Sequence, residues 1–143
     1  IGKENDRLLD ATRNTILALL SGENRDSLRR IWLEQVTSTF NADTGALIWF
    51  NGDAEALEEA KVAGKLVRQG DAFSGVLRPE EMQALFKTEA LEGSAALTPI
   101  RLGGDVIGVI GVGSHDTQRY RPEDGTLFLD YLAEVIGQLP GCA

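Results

Sequence analysis

The stretch that decides the fold is SAALTPIRLGGDVIGVIGVGS, residues 94–114. It contains two runs rich in β-branched and small apolar residues, separated by the turn-forming sequence GGD. Gly103 and Gly104 can supply the positive φ angles that a tight hairpin turn requires. The stretch therefore predicts an antiparallel β-hairpin.

Three glycines, Gly108, Gly111 and Gly113, lie in the second run of this hairpin. A dinucleotide-binding loop needs the order G-x-G-x-x-G where a strand turns into a helix. The order here is G-x-x-G-x-G, and no helical pattern starts within several residues of Gly113. Glycines inside a strand are typical of close approach by a helix or a ligand. We interpret these glycines as sites of helix packing, with the floor of a ligand site as the alternative.

Ser114, His115 and Asp116 follow directly and have the residue types of a hydrolase triad. Because successive side chains of an extended chain point to opposite sides, these neighbours cannot align as a relay. His115 is the single histidine and Cys142 the single cysteine, which excludes a multi-histidine or thiolate metal site. We therefore expect a surface His115, a turn capped by Asp116, no metal ion and no catalytic residue.

The charge balance argues against nucleic-acid binding. The chain of 143 residues has 14 Lys and Arg against 22 Asp and Glu, a formal net charge of -8. Nucleic-acid binders need clustered cations to displace the counterions of the phosphates. No apolar run approaches the roughly 20 residues that a membrane span requires, and one cysteine fits a reducing compartment. We predict a cytoplasmic protein without nucleic-acid or membrane partners, and we expect a segment before Ile1.

Helical periodicity appears in four places. Residues 4–20 contain no Gly or Pro and predict a first helix, and a second helix follows with Asn24 or Asp26 as its cap. Pro79 opens a short third helix and Pro122 opens a long last one, PEDGTLFLDYLAEVIGQL. The apolar positions of the second, short and last helices are Leu28, Ile31, Trp32, Val36, Phe40, then Met82, Leu85, Phe86, then Leu127, Phe128, Tyr131, Leu132, Val135, Ile136 and Leu139.

Two more segments have strand-like composition. Residues 44–50, TGALIWF, are apolar on both alternating sets of side chains, which predicts a central strand covered on both faces. Residues 54–61 predict a charged helical turn or loop, and VAGKLV at 62–67 predicts a weak strand interrupted by a glycine. We divide the chain into an N-terminal helix at 1–22, one domain at 23–140 and a tail at 141–143.

This order of elements resembles the GAF domain. The resemblance is concentrated in ALTPIRLGGDVIGVIGVGSHDTQRYRPEDGTLFLDYLAEVIG, residues 96–137, and is closer to the bacterial domain-of-unknown-function family four-eight-four, a GAF-like family. It implies an α+β fold with a central antiparallel sheet of five or six strands and the N- and C-terminal helices on one face. That family has no established ligand or activity, so the resemblance supplies no cofactor and no catalytic residue.

GAF relatives commonly hold a small molecule beside the sheet. The resemblance implies a pocket between the sheet and the segment corresponding to residues 68–98, and hence a non-catalytic sensory or regulatory domain in signalling. Pockets of this kind combine apolar walls with a few placed polar groups. The candidate ligand-binding residues are Trp49, Phe73, Met82, Phe86, Arg101 and Ser114.

The alternative function is homodimerisation or protein interaction without a ligand. GAF domains often pair through their terminal helices, and Leu9, Ile16 and Leu20 fit a heptad loosely. Packing of the first helix against the last helix of the same chain explains these residues equally well. An enzyme using His115 and a carboxylate from elsewhere in the fold is the third hypothesis.

Overall fold

A computed structural model describes residues 2–40, 42–50, 57–67, 70–124 and 126–142. In these ranges the chain is an α+β domain with five α-helices, four β-strands and two short 3-10 turns. The elements are α1 (Gly2–Leu19), α2 (Arg25–Ser38), β1 (Thr44–Trp49), α3 (Leu57–Leu66), β2 (Phe73–Leu77), α4 (Pro79–Phe86), β3 (Gly93–Leu102), β4 (Asp105–Ser114) and α5 (Leu127–Gln138), with the 3-10 turns at Pro122–Asp124 and Pro140–Cys142.

The four strands form one antiparallel sheet in the order β1-β4-β3-β2. The predicted hairpin is confirmed as β3 and β4, and its turn residues Gly103 and Gly104 have φ angles of 62° and 92°. Both hairpin strands are central in the sheet, because β1 pairs with β4 and β2 pairs with β3. The stretch quoted above is therefore the middle of the fold. The prediction that residues 44–50 form a central strand is wrong, because β1 lies at the edge of the described sheet.

One face of the sheet, called here the three-helix face, is covered by α2 and α5, with α1 packed against both helices. Alternate side chains of the strands point into this layer and form one core cluster. Trp32 of α2 is fully buried there, and its indole nitrogen donates to the Ala46 carbonyl oxygen at 3.0 Å. The terminal helices therefore share one face, as the GAF resemblance implied.

The opposite face, called here the two-helix face, is covered by α3 and α4. Its core cluster consists of apolar side chains from the other alternating set of the strands and from the two helices. Pro79 begins α4 as predicted, and Met82, Leu85 and Phe86 are buried. The fully buried members of this layer, at 0% exposure, are Ala63, Leu77, Met82, Ala95, Leu97 and Val109.

The predicted strand at 62–67 is wrong, because Leu57–Leu66 is helix α3. Gly64 lies in this helix, and a Cβ added to it would have no neighbouring atom within 4 Å, so it marks an exposed helix face instead of a strand interior. Acidic Glu58 and Glu59 in the first turn and Lys65 in the last turn suit the helix dipole. The described residues consequently contain four strands, fewer than the five or six expected, and residues 54–56 lie outside the described ranges.

The glycines of β4 lie inside the strand as predicted, but helix packing explains one of the three. A Cβ at Gly113 would lie 2.6 Å from the Phe86 ring of α4. A Cβ at Gly108 would meet β1 backbone, and one at Gly111 would meet the Leu97 side chain of β3. The interpretation is thus wrong for Gly108 and Gly111, whose space is taken by neighbouring strands.

The start of α2 contacts the last described residues of the chain. Asn24 caps α2 as predicted, by accepting from the Ser27 amide at 2.9 Å. Gly141 and Cys142, which the sequence placed in a tail, are buried, and the Cys142 carbonyl accepts from Arg25 Nε at 2.8 Å. The domain boundary at residue 22 stays a prediction, although buried Ala11 and Leu19 place α1 in the common core.

Candidate functional site

Three of the six predicted ligand-binding residues lie together on the two-helix face. Met82 and Phe86 are buried in its core cluster, and Phe73 packs against that cluster from β2. Leu77 of β2 and Leu97 of β3 are buried in the same cluster at 0% exposure. Side chains therefore occupy the space between the sheet and helix α4, in the part of residues 68–98 to which Phe73, Met82 and Phe86 belong.

Trp49 lies on the opposite face of the sheet from these three residues. Its side chain belongs to the core of the three-helix face, because β1 turns alternate residues to alternate faces. The indole nitrogen donates to the Arg25 carbonyl oxygen at 3.2 Å, and the Arg25 guanidinium lies 5.0 Å from the ring centroid. Trp49 thus holds the start of α2 and is not a stacking surface for a ligand beside α4.

Ser114 lies at the end of β4 in a network of hydrogen bonds. Its hydroxyl donates to Asp43 Oδ2 at 2.5 Å and accepts from the Asp116 amide at 3.1 Å. Ser94 on the neighbouring strand donates to the Asp116 carbonyl oxygen and accepts from the Tyr120 amide. These bonds shape the loop that follows β4, and the Asp116 carboxylate caps the turn as predicted by accepting from the amide of residue 118.

His115 and Tyr120 complete the description of this loop. His115 is exposed, with its Nε2 atom 3.0 Å from the Thr88 hydroxyl oxygen, while Ser114 is buried. The structure therefore does not align the two side chains as a triad. Burial raises the pKa of Tyr120 above its ordinary value, and the Asp43 carboxylate raises it further while Arg119 lowers it. The loop is a structural cap on the end of the hairpin.

Arg101, the remaining predicted residue, lines a different opening. It is exposed near the end of β3, and its Nη2 atom donates to the Gly70 carbonyl oxygen at 2.5 Å. The opening is a cleft of about 410 Å³ between residues 70–72, the last half of β3 and helix α5. Its lining residues are Gly70, Asp71, Ala72, Thr98, Pro99, Arg101, Asp130, Ala133 and Glu134.

Sequence reasoning missed the carboxylates on the α5 wall of this cleft. Asp130 Oδ1 accepts from the hydroxyls of Thr98 and Thr126, both at 2.9 Å. Glu134 follows one helical turn later and lines the same cleft. The available signal was the spacing of these two acids by four residues in an otherwise apolar helix, LFLDYLAEVIGQ.

A second surface is formed by apolar side chains on the terminal helices. Of the eight large apolar side chains that are exposed in the described ranges, five lie on α1, directly after it, or on α5. Leu9 and Leu127 are the most exposed, at 68% and 83%. The full set, called here the terminal-helix surface, is Leu9, Leu17, Leu20, Leu127 and Tyr131.

Two kinds of site were sought and not found in the part of the chain that the structure describes. No group of three or more His, Cys, Asp or Glu side chains there is arranged to hold a metal ion. No helix there combines the length and the apolar character needed to cross a membrane.

Comparison with known proteins places this architecture in a family. The family described as "Protein of unknown function, DUF484" matches residues 1–141. The chain belongs to the DUF484 family. The resemblance identified from residues 96–137 is therefore confirmed over nearly the whole sequence. No curated protein is significantly similar to the chain in sequence.

The DUF484 chain also has the fold of a GAF domain. A crystal structure of the A. Aeolicus nlh2 GAF domain in an inactive state matches it with a TM-score of 0.61 at 14% sequence identity. The match covers 93% of this chain and 94% of the other. At this identity the similarity shows the shared fold, and the function has to be argued from the surfaces of the DUF484 chain itself.

Proposed function

We propose that this protein is a non-catalytic regulatory domain that acts as a homodimer through the terminal-helix surface. The observation that supports this most directly is the concentration of exposed leucines on α1 and α5. Large exposed apolar patches on globular domains mark interaction sites, because each such side chain favours removal from water. A ligand bound beside α4 has less support, since side chains fill that space.

The arrangement of the leucines on α1 suits a helix–helix contact. At 100° per residue, the exposed Leu9, Leu17 and Leu20 fall within roughly 80° of one another. This side of the helix is turned away from the buried Ala11 and Leu19. Leu127 and Tyr131 are likewise separated by one turn on the exposed side of α5. Helices α1 and α5 contact each other. In a two-fold dimer the terminal-helix surface of one subunit would contact the same surface of the other, which removes the apolar side chains of both from water.

Light scattering across a concentration series tests this function on the full chain and on single Leu→Glu variants. We expect a wild-type dimer and a monomer for Leu20→Glu and for Leu127→Glu, because a buried unpaired carboxylate opposes association. The matched control is Leu91→Glu, at an exposed leucine outside the terminal helices, which should leave the dimer intact. A monomeric wild-type protein, or a dimer that survives both variants, would refute the proposal.

A further inference from the structure

The cleft beside Arg101 exists because β3 extends past the end of β2. The last pair between these strands is Phe73 with Leu97, so Thr98 to Leu102 have no strand beside them on that side in the described residues. Helix α5 lies very close to β3 at Gly137, where a Cβ would clash with the Arg101 carbonyl oxygen. Two turns earlier, at Asp130, the helix forms the wall of the cleft. The gap is thus bounded by regular elements on two sides.

Arg101 lines this gap and keeps hydrogen-bond donors for a ligand. The register of β3 against β4 shifts between Ile100 and Arg101, where Ile107 of β4 has no partner in β3. The Arg101 guanidinium has five N–H donors, and its bond to the Gly70 carbonyl uses one of them. It therefore keeps donors for a further acceptor in the cleft.

The opposite wall has the opposite charge. Thr98 and Thr126 hold one oxygen of the Asp130 carboxylate, which fixes the direction of its second oxygen. Glu134 lies on the same wall and Asp71 at the loop side. Within the described ranges, none of these three carboxylates is within salt-bridge distance of Arg101. Opposite charges therefore line one cleft without neutralising each other.

We propose that this cleft binds a small zwitterion of the α-amino acid class. The ligand's carboxylate would accept from Arg101, and its ammonium group would donate to Asp130 and Glu134. Arginine and carboxylate side chains provide the strongest charge-assisted hydrogen bonds for these two groups. A simple anion would face three carboxylates, and a simple cation would face the Arg101 guanidinium without using its remaining donors. A volume of about 410 Å³ accommodates a molecule of this size.

The direct test is a titration of the isotope-labelled full chain with proteinogenic α-amino acids, followed by amide NMR shifts. We expect at least one amino acid to shift the amides of residues 70–72, 98, 101 and 130–134 saturably. Its carboxamide, which lacks the carboxylate, and its N-acetyl derivative, which lacks the ammonium, should bind about tenfold more weakly or not at all. Absence of saturable shifts with every amino acid, or equal binding of either derivative, would overturn the proposal.

Substitutions assign the two ends of the ligand. Arg101→Gln and Glu134→Gln should each weaken binding of the selected amino acid about tenfold or more. Both side chains are exposed, so the fold should survive the changes, which the unperturbed remainder of the NMR spectrum verifies. Arg29→Gln and Glu89→Gln, at exposed positions away from the cleft, are the matched controls and should not change the affinity. Equal affinity of all four variants would refute the assigned site.

Discussion

The two faces of the sheet are held by different kinds of contact. On the three-helix face, the indole N–H groups of Trp32 and Trp49 donate to backbone carbonyls, and Thr98 donates to Asp130 of α5. The two-helix face is held mainly by apolar side chains, and a nearly buried Glu59 of α3 forms an ion pair with the exposed Lys87 after α4. Several hydrogen bonds therefore position the helices on one face, and on the other face apolar packing does so together with one ion pair.

Shape complementarity on the two-helix face depends on glycines. Phe86 lies against Gly113, and Met82 lies against Gly93, where a Cβ would be 2.9 Å from the methionine methyl carbon. These two large side chains can pack directly against the strand backbone because glycine has no side chain to occupy that volume. The difference between the faces is that α4 relies on the volume left by Gly93 and Gly113, whereas α2 and α5 also rely on hydrogen bonds to the sheet.

The largest expected effect is the loss of an aromatic side chain from either face. Trp32→Ala should reduce the free energy of unfolding by about 4 kcal/mol and Phe86→Ala by about 3 kcal/mol, both through cavity formation. The tryptophan should cost more because it is fully buried and also donates a hydrogen bond. Urea denaturation followed by far-ultraviolet circular dichroism measures both values, and a greater loss for Phe86→Ala would contradict the ranking.

The next effect tests the role of shape on the two-helix face. Gly113→Ala should destabilise the fold by about 2 kcal/mol, because its new methyl group overlaps the Phe86 ring. Combination with Phe86→Leu should recover part of that loss. The control is Gly64→Ala at an exposed position of helix α3, where the new methyl group would have no atom within 4 Å. Alanine should stabilise the helix there by about 0.5–1 kcal/mol. Equal losses of unfolding free energy for Gly113→Ala and Gly64→Ala would contradict the role of close packing at Gly113.

A smaller effect is expected at a buried hydroxyl on the three-helix face. The Thr15 hydroxyl is buried on the three-helix side without a hydrogen-bond partner in the described residues. Thr15→Val should therefore stabilise the protein by about 1 kcal/mol. Thr12→Val is the matched control and should not stabilise, because that hydroxyl already donates to the Leu8 carbonyl at 2.8 Å. Thermal melting of both variants decides whether α1 contains an unsatisfied group.

The smallest expected effect is a loss of stability at alkaline pH. Burial raises the pKa of the Cys142 thiol above its ordinary value, and burial also raises the pKa of Tyr120. A raised folded pKa gives stability that is complete below the unfolded value and is lost as pH rises toward the folded one. Urea midpoints should thus decline from about pH 9 in the wild type and from a higher pH in Cys142→Ala. Identical profiles would contradict a role for the thiol.

The hairpin and α5 could be predicted from the sequence because each rests on a local pattern. GGD between two β-rich runs indicates a tight hairpin turn. The apolar residues of 127–139 recur with the period of an α-helix. Helix α3 could not be predicted in the same way. VAGKLV has strand composition, and it is helical because residues 57–66 pack as one unit against α4 and β1.

The candidate site was less accessible to sequence reasoning than the fold. In TGALIWF both alternating sets of residues are apolar, so the sequence does not indicate which face Trp49 occupies. Register decides it, through the pairing of Trp49 with Gly108. The cleft likewise depends on where β2 ends, which has no local sequence pattern.

The placement of both tryptophans on the three-helix face determines what their fluorescence can report. The chain contains two tryptophans, and Trp32 and Trp49 belong to the same core cluster. Emission spectra will follow the detachment of α2 from the sheet but will be nearly insensitive to opening of α3 and α4. A tryptophan introduced by Phe86→Trp would add a fluorescence signal that reports on the opening of α3 and α4.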